Sequence, residues 1–258
     1  MLNSAHYGVP QARERVFLVG SRDGTDFIFP ERTHVPKEVV DLFDNREPYR
    51  TAWDAIGDLP ENPDETSLVV GGRWGDLLPT IPEGQNYLWH TNRLGGENLF
   101  GWRTRYWSFL LKLAKDQPSW TIQAQPGSAV GPFHWKNRKL TIQEMCRIQT
   151  FPDELRFDCG RTDVQKLVGN AVPSLMAEVL GRAMRSQLLA SCPEETQLRL
   201  LLPKSSYVPP PEQTVPEPAK YMTLVADHKD HPSTKKIKRA QSFDAASTVA
   251  ALPHQRVG

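Results

Sequence analysis

The sequence predicts an α/β fold, and three observations carry that expectation. A short apolar run, "RVFLVG" over residues 15–20, ends in glycine, as does a strand buried on both faces of a parallel sheet. Residues 172–189 place Leu175, Met176, Val179, Leu180 and Met184 at helical spacing, with Arg182 and Arg185 outside. Between these two regular regions lies a proline- and glycine-punctuated stretch that holds all 7 tryptophans. The expected architecture is therefore an α/β domain interrupted by a small loop-rich unit.

Residues 6–20, "HYGVPQARERVFLVG", open the chain with a polar loop feeding the apolar run. A parallel strand needs neighbours, and only a loop precedes this one, so later segments or another chain must supply them. From about residue 29 to Trp135 the regular periodicity fades. Two short helices are predicted here, over residues 51–59 and 107–115, with the tryptophans mostly forming a local core. Regular structure returns at Leu140. Thr141 stands three residues before Glu144, which predicts a capping box, with Met145, Ile148 and Gln149 on one side and Pro152 ending the helix. Pro173 marks another helix start. Beyond Leu202 the chain turns proline-rich and then polar, so residues 203–258 are expected to be disordered. The basic cluster at Lys235–Arg239 reads as part of a solvated tail, with phosphate contact as the alternative.

Composition narrows the function classes. The net charge is +1, so a nucleic-acid face must be a local patch rather than a chain-wide field. Cys146, Cys159 and Cys192 form an odd set at unrelated spacings, which fits neither a disulfide framework nor a zinc site. No metal is expected. No apolar run approaches the ~20 residues of a membrane span, and the N-terminal residues lack an apolar signal core. A cytoplasmic protein without a membrane partner is the expectation.

In an extended backbone Gln11, Arg13 and Arg15 would share a face. Two guanidiniums with an amide suit phosphate oxygens and a base carbonyl, while a surface ladder with Glu14 as counter-charge fits the spacing as well. Taken with "TAWDAIGDLPE" (51–61), "LTIQEMCRIQTFPDELRF" (140–157) and "VGNAVPSLMAEVLG" (168–181), in this order, the loop resembles the C-terminal half of the cytosine-5 DNA methyltransferases over roughly residues 1–190. In that family the matching segments are motifs VIII, IX and X, and the region between the first two is the target-recognition domain.

The resemblance implies a class I S-adenosylmethionine-dependent methyltransferase fold. The large domain would comprise residues 1–30 and 163–202, with the recognition domain and motif IX over 31–162. It implies that cytosine is flipped from duplex DNA, because C5 cannot be reached inside the stack. Arg15 would contact the flipped base, Arg13 would bridge DNA backbone and protein, and Gln11 would order the pocket. Gly169, Asn170, Ala171 and Val172 would border S-adenosylmethionine; taken alone, this stretch is equally an ordinary loop-to-helix junction. Glu144 and Arg147 would brace the recognition domain, and Gln143 replaces the arginine common there. For base reading the favoured residues are Gln123, Gln125, Ser128, His134, Asn137 and Arg138, with turn capping as the alternative for each.

The family's nucleophile is a cysteine in a Pro-Cys-Gln loop, and this sequence has no Pro-Cys-Gln. Nor does it contain the family's Glu-Asn-Val segment or its Phe-x-Gly-x-Gly cofactor loop. The expectation is a chain inactive alone that works with an N-terminal methyltransferase half holding most of the cofactor. It would be a split subunit or a truncated gene product; a non-catalytic DNA-binding module is the remaining alternative.

Overall fold

The computed structural model describes residues 1–40, 45–61, 66–101, 105–189 and 197–225. Trp102, Cys192 and Lys235–Arg239 lie outside them. Among the described residues the strands are all two residues long and form three two-stranded ladders. β1 (Leu2–Asn3) pairs antiparallel with β3 (Glu14–Arg15), and β2 (Gln11–Ala12) pairs parallel with β6 (Ser119–Trp120). β4 (His34–Val35) pairs parallel with β5 (Glu47–Pro48).

The helices follow short-range chemistry. α1 (Ala52–Ile56) starts at Thr51, whose hydroxyl accepts from the Asp54 amide while Asp54 accepts from the Thr51 amide. This capping box holds a helix shorter than the expected 51–59. α2 (Ile142–Ile148) starts at Thr141 with the expected Glu144 box. It stops at Gln149, three residues before Pro152. Met145, Ile148 and Gln149 are all buried, as the spacing anticipated. α3 (Arg161–Asn170) had no counterpart in the sequence reading. α4 (Ser174–Leu188) follows Pro173 and buries Leu175, Met176 and Leu180, with Val179 and Met184 partly covered. α5 (Ala219–Met222) is a single turn in the tail.

Three apolar clusters organise these elements. The first joins α1, α2 and α3 around Trp135, Leu113 and Ile122. The second gathers Leu77, Leu78, Ile81, Tyr87, Phe100, Phe109 and Tyr221. The third packs Tyr7 and Val9 on α4.

Three expectations are corrected. Residues 107–115 are not helical. Phe109 bridges Val130 and Lys112 bridges Phe133, with Leu110 and Leu113 donating to the carbonyls of Ala129 and Phe133. Residues 109–113 are buried on every side, and a stretch with no solvated face gains nothing from a helical period. The run at 15–20 is not a doubly buried strand: Val16 is 69% and Leu18 93% exposed. Among the described residues no strand lies beside 16–20; Phe17 packs partly on the third cluster while Val16 and Leu18 stay exposed.

The first part of the tail is the third correction, residues 226–258 lying outside the described residues. Residues 203–225 run along the body, largely exposed but anchored to it at a few points. Lys115 Nζ donates to Glu83, to Glu212 and to the Pro210 carbonyl at 2.7–3.2 Å. Tyr221 stacks on Trp74 at 5.6 Å, and its hydroxyl donates to the Arg73 carbonyl. A few anchors thus hold a proline-rich strap whose average composition argues against order.

Candidate functional site

The site assembles where three distant segments meet. A tight turn at Ser4–Tyr7 closes on Gly8, whose φ of 87° is left-handed, and Ser4 Oγ donates to the Gln11 carbonyl. This fixes the entry to β2. The chain then leaves one ladder for the other at Arg13, since β2 pairs with residues 119–120 and β3 with residues 2–3. Gln11 and Arg13 face inward, 0% and 2% exposed. Arg15 does not join them: it is exposed, and its Nη1 donates to the Glu14 carbonyl at 2.6 Å. The change of ladder partner at Arg13 interrupts the alternation that would have aligned all three.

Arg13 Nη2 donates to the Gly169 carbonyl at 2.7 Å. Gln149 Nε2 donates to the Val168 carbonyl at 2.6 Å. Both therefore hold the last turn of α3, where unpaired carbonyls and the helix dipole favour a cation. The Gln149 carbonyl accepts from the Ser174 amide, and Thr150 Oγ1 accepts from the Leu175 amide, so the same corner also caps α4. Burial, with Arg15 adding to it, lowers the Arg13 guanidinium to about 10. Arg13 Nε and Nη1, both polar atoms of the Gln11 amide, and Gln149 Oε1 are buried without a partner among the described residues. Buried polar atoms of this kind are expensive, and their clustering marks a place built to receive one. Gln149 stands in the sequence both on the buried side of α2 and as the first residue of the Gln-x-Phe-Pro segment that the resemblance rests on; its contact with the end of α3 was not part of that expectation.

The α3–α4 junction divides the four residues expected beside a cofactor. Gly169 is buried, and a Cβ there would come within 2.5 Å of the Ala124 Cα and N. Its freedom serves packing against the 123–124 backbone rather than approach by a small molecule. Ala171 is half-buried, while Asn170 and Val172 are exposed.

The residues expected to read DNA also divide. Gln125 and Ser128 are exposed, and Gln123 is half-buried with its amide donating to Ser108 Oγ at 2.8 Å. All three line a cavity of about 650 Å³ together with Lys139, Arg161 and Gln165. His134, Asn137 and Arg138 stand apart from that surface. Arg138 forms a bidentate pair with Glu144 at 2.6 and 2.8 Å and donates to the Glu61 carbonyl. His134 is 1% exposed, and burial, then the nearby Arg138, push it down to about 2. Asn137 takes a left-handed φ of 60° in the turn between them, with its side-chain oxygen buried. These three build the hairpin beneath the surface.

Glu144 and Arg147, the residues expected to act as braces, each hold local contacts. Glu144 holds Arg138 and its own helix cap. Arg147 links α2 to Asp58 and Asp153, each through two oxygens, and Gln143 bonds the same Asp153. Among the described residues no group of three His, Cys, Asp or Glu is placed to hold a metal, and no helix is long and apolar enough to cross a membrane.

Residues 1–186 match the family model described as C-5 cytosine-specific DNA methylase. The chain belongs to this family. Membership implies the class I methyltransferase fold of that family. Type II methyltransferase M.SacI of Streptomyces achromogenes is 48% identical over 200 residues, covering 73% of this chain and 51% of that protein. M.NgoFVII of Neisseria gonorrhoeae is 34% identical over 175 residues, and M.BbvI of Brevibacillus brevis 33% over 182, covering 45% and 46% of those proteins. The chain thus spans about half the length of the curated relatives it matches.

Proposed function

We propose that this chain supplies the sequence-reading and base-holding part of a DNA (cytosine-5-)-methyltransferase in a restriction-modification setting. It would act with a complementary N-terminal part that carries the Pro-Cys-Gln thiolate. The observation that carries this reading is the buried Arg13 and Gln149 pair at the end of α3, with the unpartnered Gln11 amide two residues before Arg13, whose free donors and acceptors suit a base edge or a phosphate. The bare apolar run at Val16 and Leu18 supports it, because a partner strand would cover those side chains.

In this scheme Arg13, anchored through Nη2, keeps Nε and Nη1 for the DNA backbone or the everted cytosine. Arg15, exposed and bonded to the carbonyl of its own neighbour Glu14, would exchange that contact for the base after eversion. S-adenosylmethionine supplies the methyl group. Asn170 and Val172, a polar amide beside an apolar side chain, fit one wall of a site for a ligand with a charged end and a flat ring, whereas Gly169 and Ala171 act by shaping the turn. Gln123, Gln125 and Ser128 would meet the groove.

The test is reconstitution. The purified chain is mixed with an N-terminal part bearing Pro-Cys-Gln, and methyl incorporation into duplex DNA is measured. Incorporation by the mixture and none by this chain alone is expected. Arg15→Ala should then abolish transfer far more than it weakens duplex binding. Complex formation without incorporation would favour a non-catalytic DNA-binding module, and incorporation by the chain alone would refute the division of labour.

A further inference from the structure

Trp107 and Trp120 depart from the other described tryptophans. Trp135 is fully buried, and Trp53, Trp74 and Trp89 are half-buried against the apolar clusters. Trp107 and Trp120 are instead 53% and 39% exposed and meet edge to face, with ring centroids 5.5 Å apart. Tyr106, beside them in sequence, is 82% exposed, and Arg105 is exposed as well. A lone surface aromatic needs no explanation, but paired indoles beside a solvent-facing tyrosine and a cation form a patch.

The place of this patch decides what it serves. Trp120 lies in β6, directly opposite Ala12 of β2, one residue from Arg13. Thr121 Oγ1 donates to the Ala12 carbonyl, which ties the two strands at that point. On the other side Ser108, next to Trp107, accepts from Gln123 at the rim of the 650 Å³ cavity. Residues opposite one another in a ladder share a face, so Trp120 projects with Ala12 on the outer side of the strand whose inner side carries Gln11 and Arg13, and the pair stands beside the glutamine-lined surface.

Resting on the function proposed above, we infer that Trp107 and Trp120 form a stacking platform for a nucleobase left without its neighbour when the cytosine leaves the duplex. Everting one base exposes the π-faces of the bases that bordered it. Indoles held in a fixed edge-to-face arrangement cover such a face with little loss of side-chain freedom, and base–aromatic stacking is insensitive to base identity. Arg105 adds a cation where the backbone passes.

The full chain is titrated with two labelled probes, a mixed-sequence duplex and the same duplex carrying one unpaired cytosine at its centre, followed by fluorescence anisotropy. Wild type should bind the second more tightly. Trp107→Ala and Trp120→Ala should weaken binding to it by about 5- to 100-fold and erase the preference, Trp→Phe should retain most of both, and Tyr207→Ala, an exposed aromatic on the tail, should change neither. Alanine variants that bind both probes as wild type does, or losses that phenylalanine fails to restore, overturn the platform while leaving the proposed function intact. Failure of the wild type to bind either probe sinks that function and the platform with it.

Discussion

Glu144→Ala should be among the most destabilising single substitutions in this chain, and the structure sets its size. Glu144 is 1% exposed, and its two oxygens accept from Arg138 at 2.6 and 2.8 Å. One of those oxygens also takes the Thr141 amide at 2.7 Å as half of the capping box. Removing the carboxylate leaves the buried Arg138 guanidinium facing carbonyls alone, a loss of about 3–5 kcal/mol for a broken buried pair. The lost cap costs about 1 kcal/mol, and because one side chain carries both roles the total is about 4 kcal/mol. Against the ~5–15 kcal/mol of a typical domain this is a large share. Urea unfolding monitored by tryptophan emission is the assay, since Trp135 packs on His134 at 4.1 Å beside the pair. With a slope of about 2 kcal/mol/M the midpoint should drop by about 2 M. Arg147→Ala is the comparison: its partners Asp58 and Asp153 are 65% and 47% exposed, so it should cost about 1 kcal/mol at most. Replacing both Arg138 and Glu144 by apolar residues should restore much of the stability. Equal midpoints for Glu144→Ala and Arg147→Ala would refute the buried-pair reasoning.

Tyr221→Ala removes a 3% exposed ring stacked on Trp74 and should cost about 3 kcal/mol, releasing the 203–225 strap to protease before the body unfolds; cleavage there no faster than in wild type would count against the strap. Stability should also fall on acidification. Burial lowers His34 to about 4 and His134 to about 2, so the unfolded chain takes up protons below about pH 6.5 that the folded chain refuses. Their contribution is full above that pH and declines as pH falls, by about 2 kcal/mol per histidine at pH 5; His134→Gln should flatten the urea midpoint's fall between pH 7 and pH 5. Gly169→Ala drives a Cβ into the Ala124 backbone and should cost about 1–3 kcal/mol, with α3 pushed off Arg13.

What was legible in the sequence was short-range. The box at Thr141 depends on residues three apart, and the buried face of α4 depends on a fixed period, so both can be seen in a linear string; the matching box at Thr51 was there to be read and was not. The failures share the opposite cause. Residues 109–113 are apolar throughout, which fits helix or strand, and the choice fell to the carbonyls of residues 129 and 133 some 20 positions away. The tail reads as disordered because order there rests on Glu212 and Tyr221 reaching Lys115 and Trp74, contacts that composition cannot express. At the site, the resemblance singled out Arg13 and Gly169 from opposite ends of the chain, and the structure joins them by a hydrogen bond. The resemblance could not separate Arg138, buried by a glutamate six residues on, from a free arginine able to read guanine.

The role of Arg13 follows from an imbalance in its surroundings. No carboxylate is paired with it among the described residues, and its ordered partner is the carbonyl end of α3. A helix C-terminus stabilises a cation by about 2 kcal/mol at best, whereas burying a guanidinium costs several. Under the proposed function that difference would be met by a group that arrives later, with Nε and Nη1 as the donors left to meet it. Gln149 keeps the acceptor end of α3 in register for Arg13, so a partner that engages those donors also tightens the corner on which α4 and the Asn170 turn are built. Binding at Arg13 and the shape of the α3–α4 turn are then one event, which is why segments separated by more than a hundred residues in the chain have to close on the same two carbonyls.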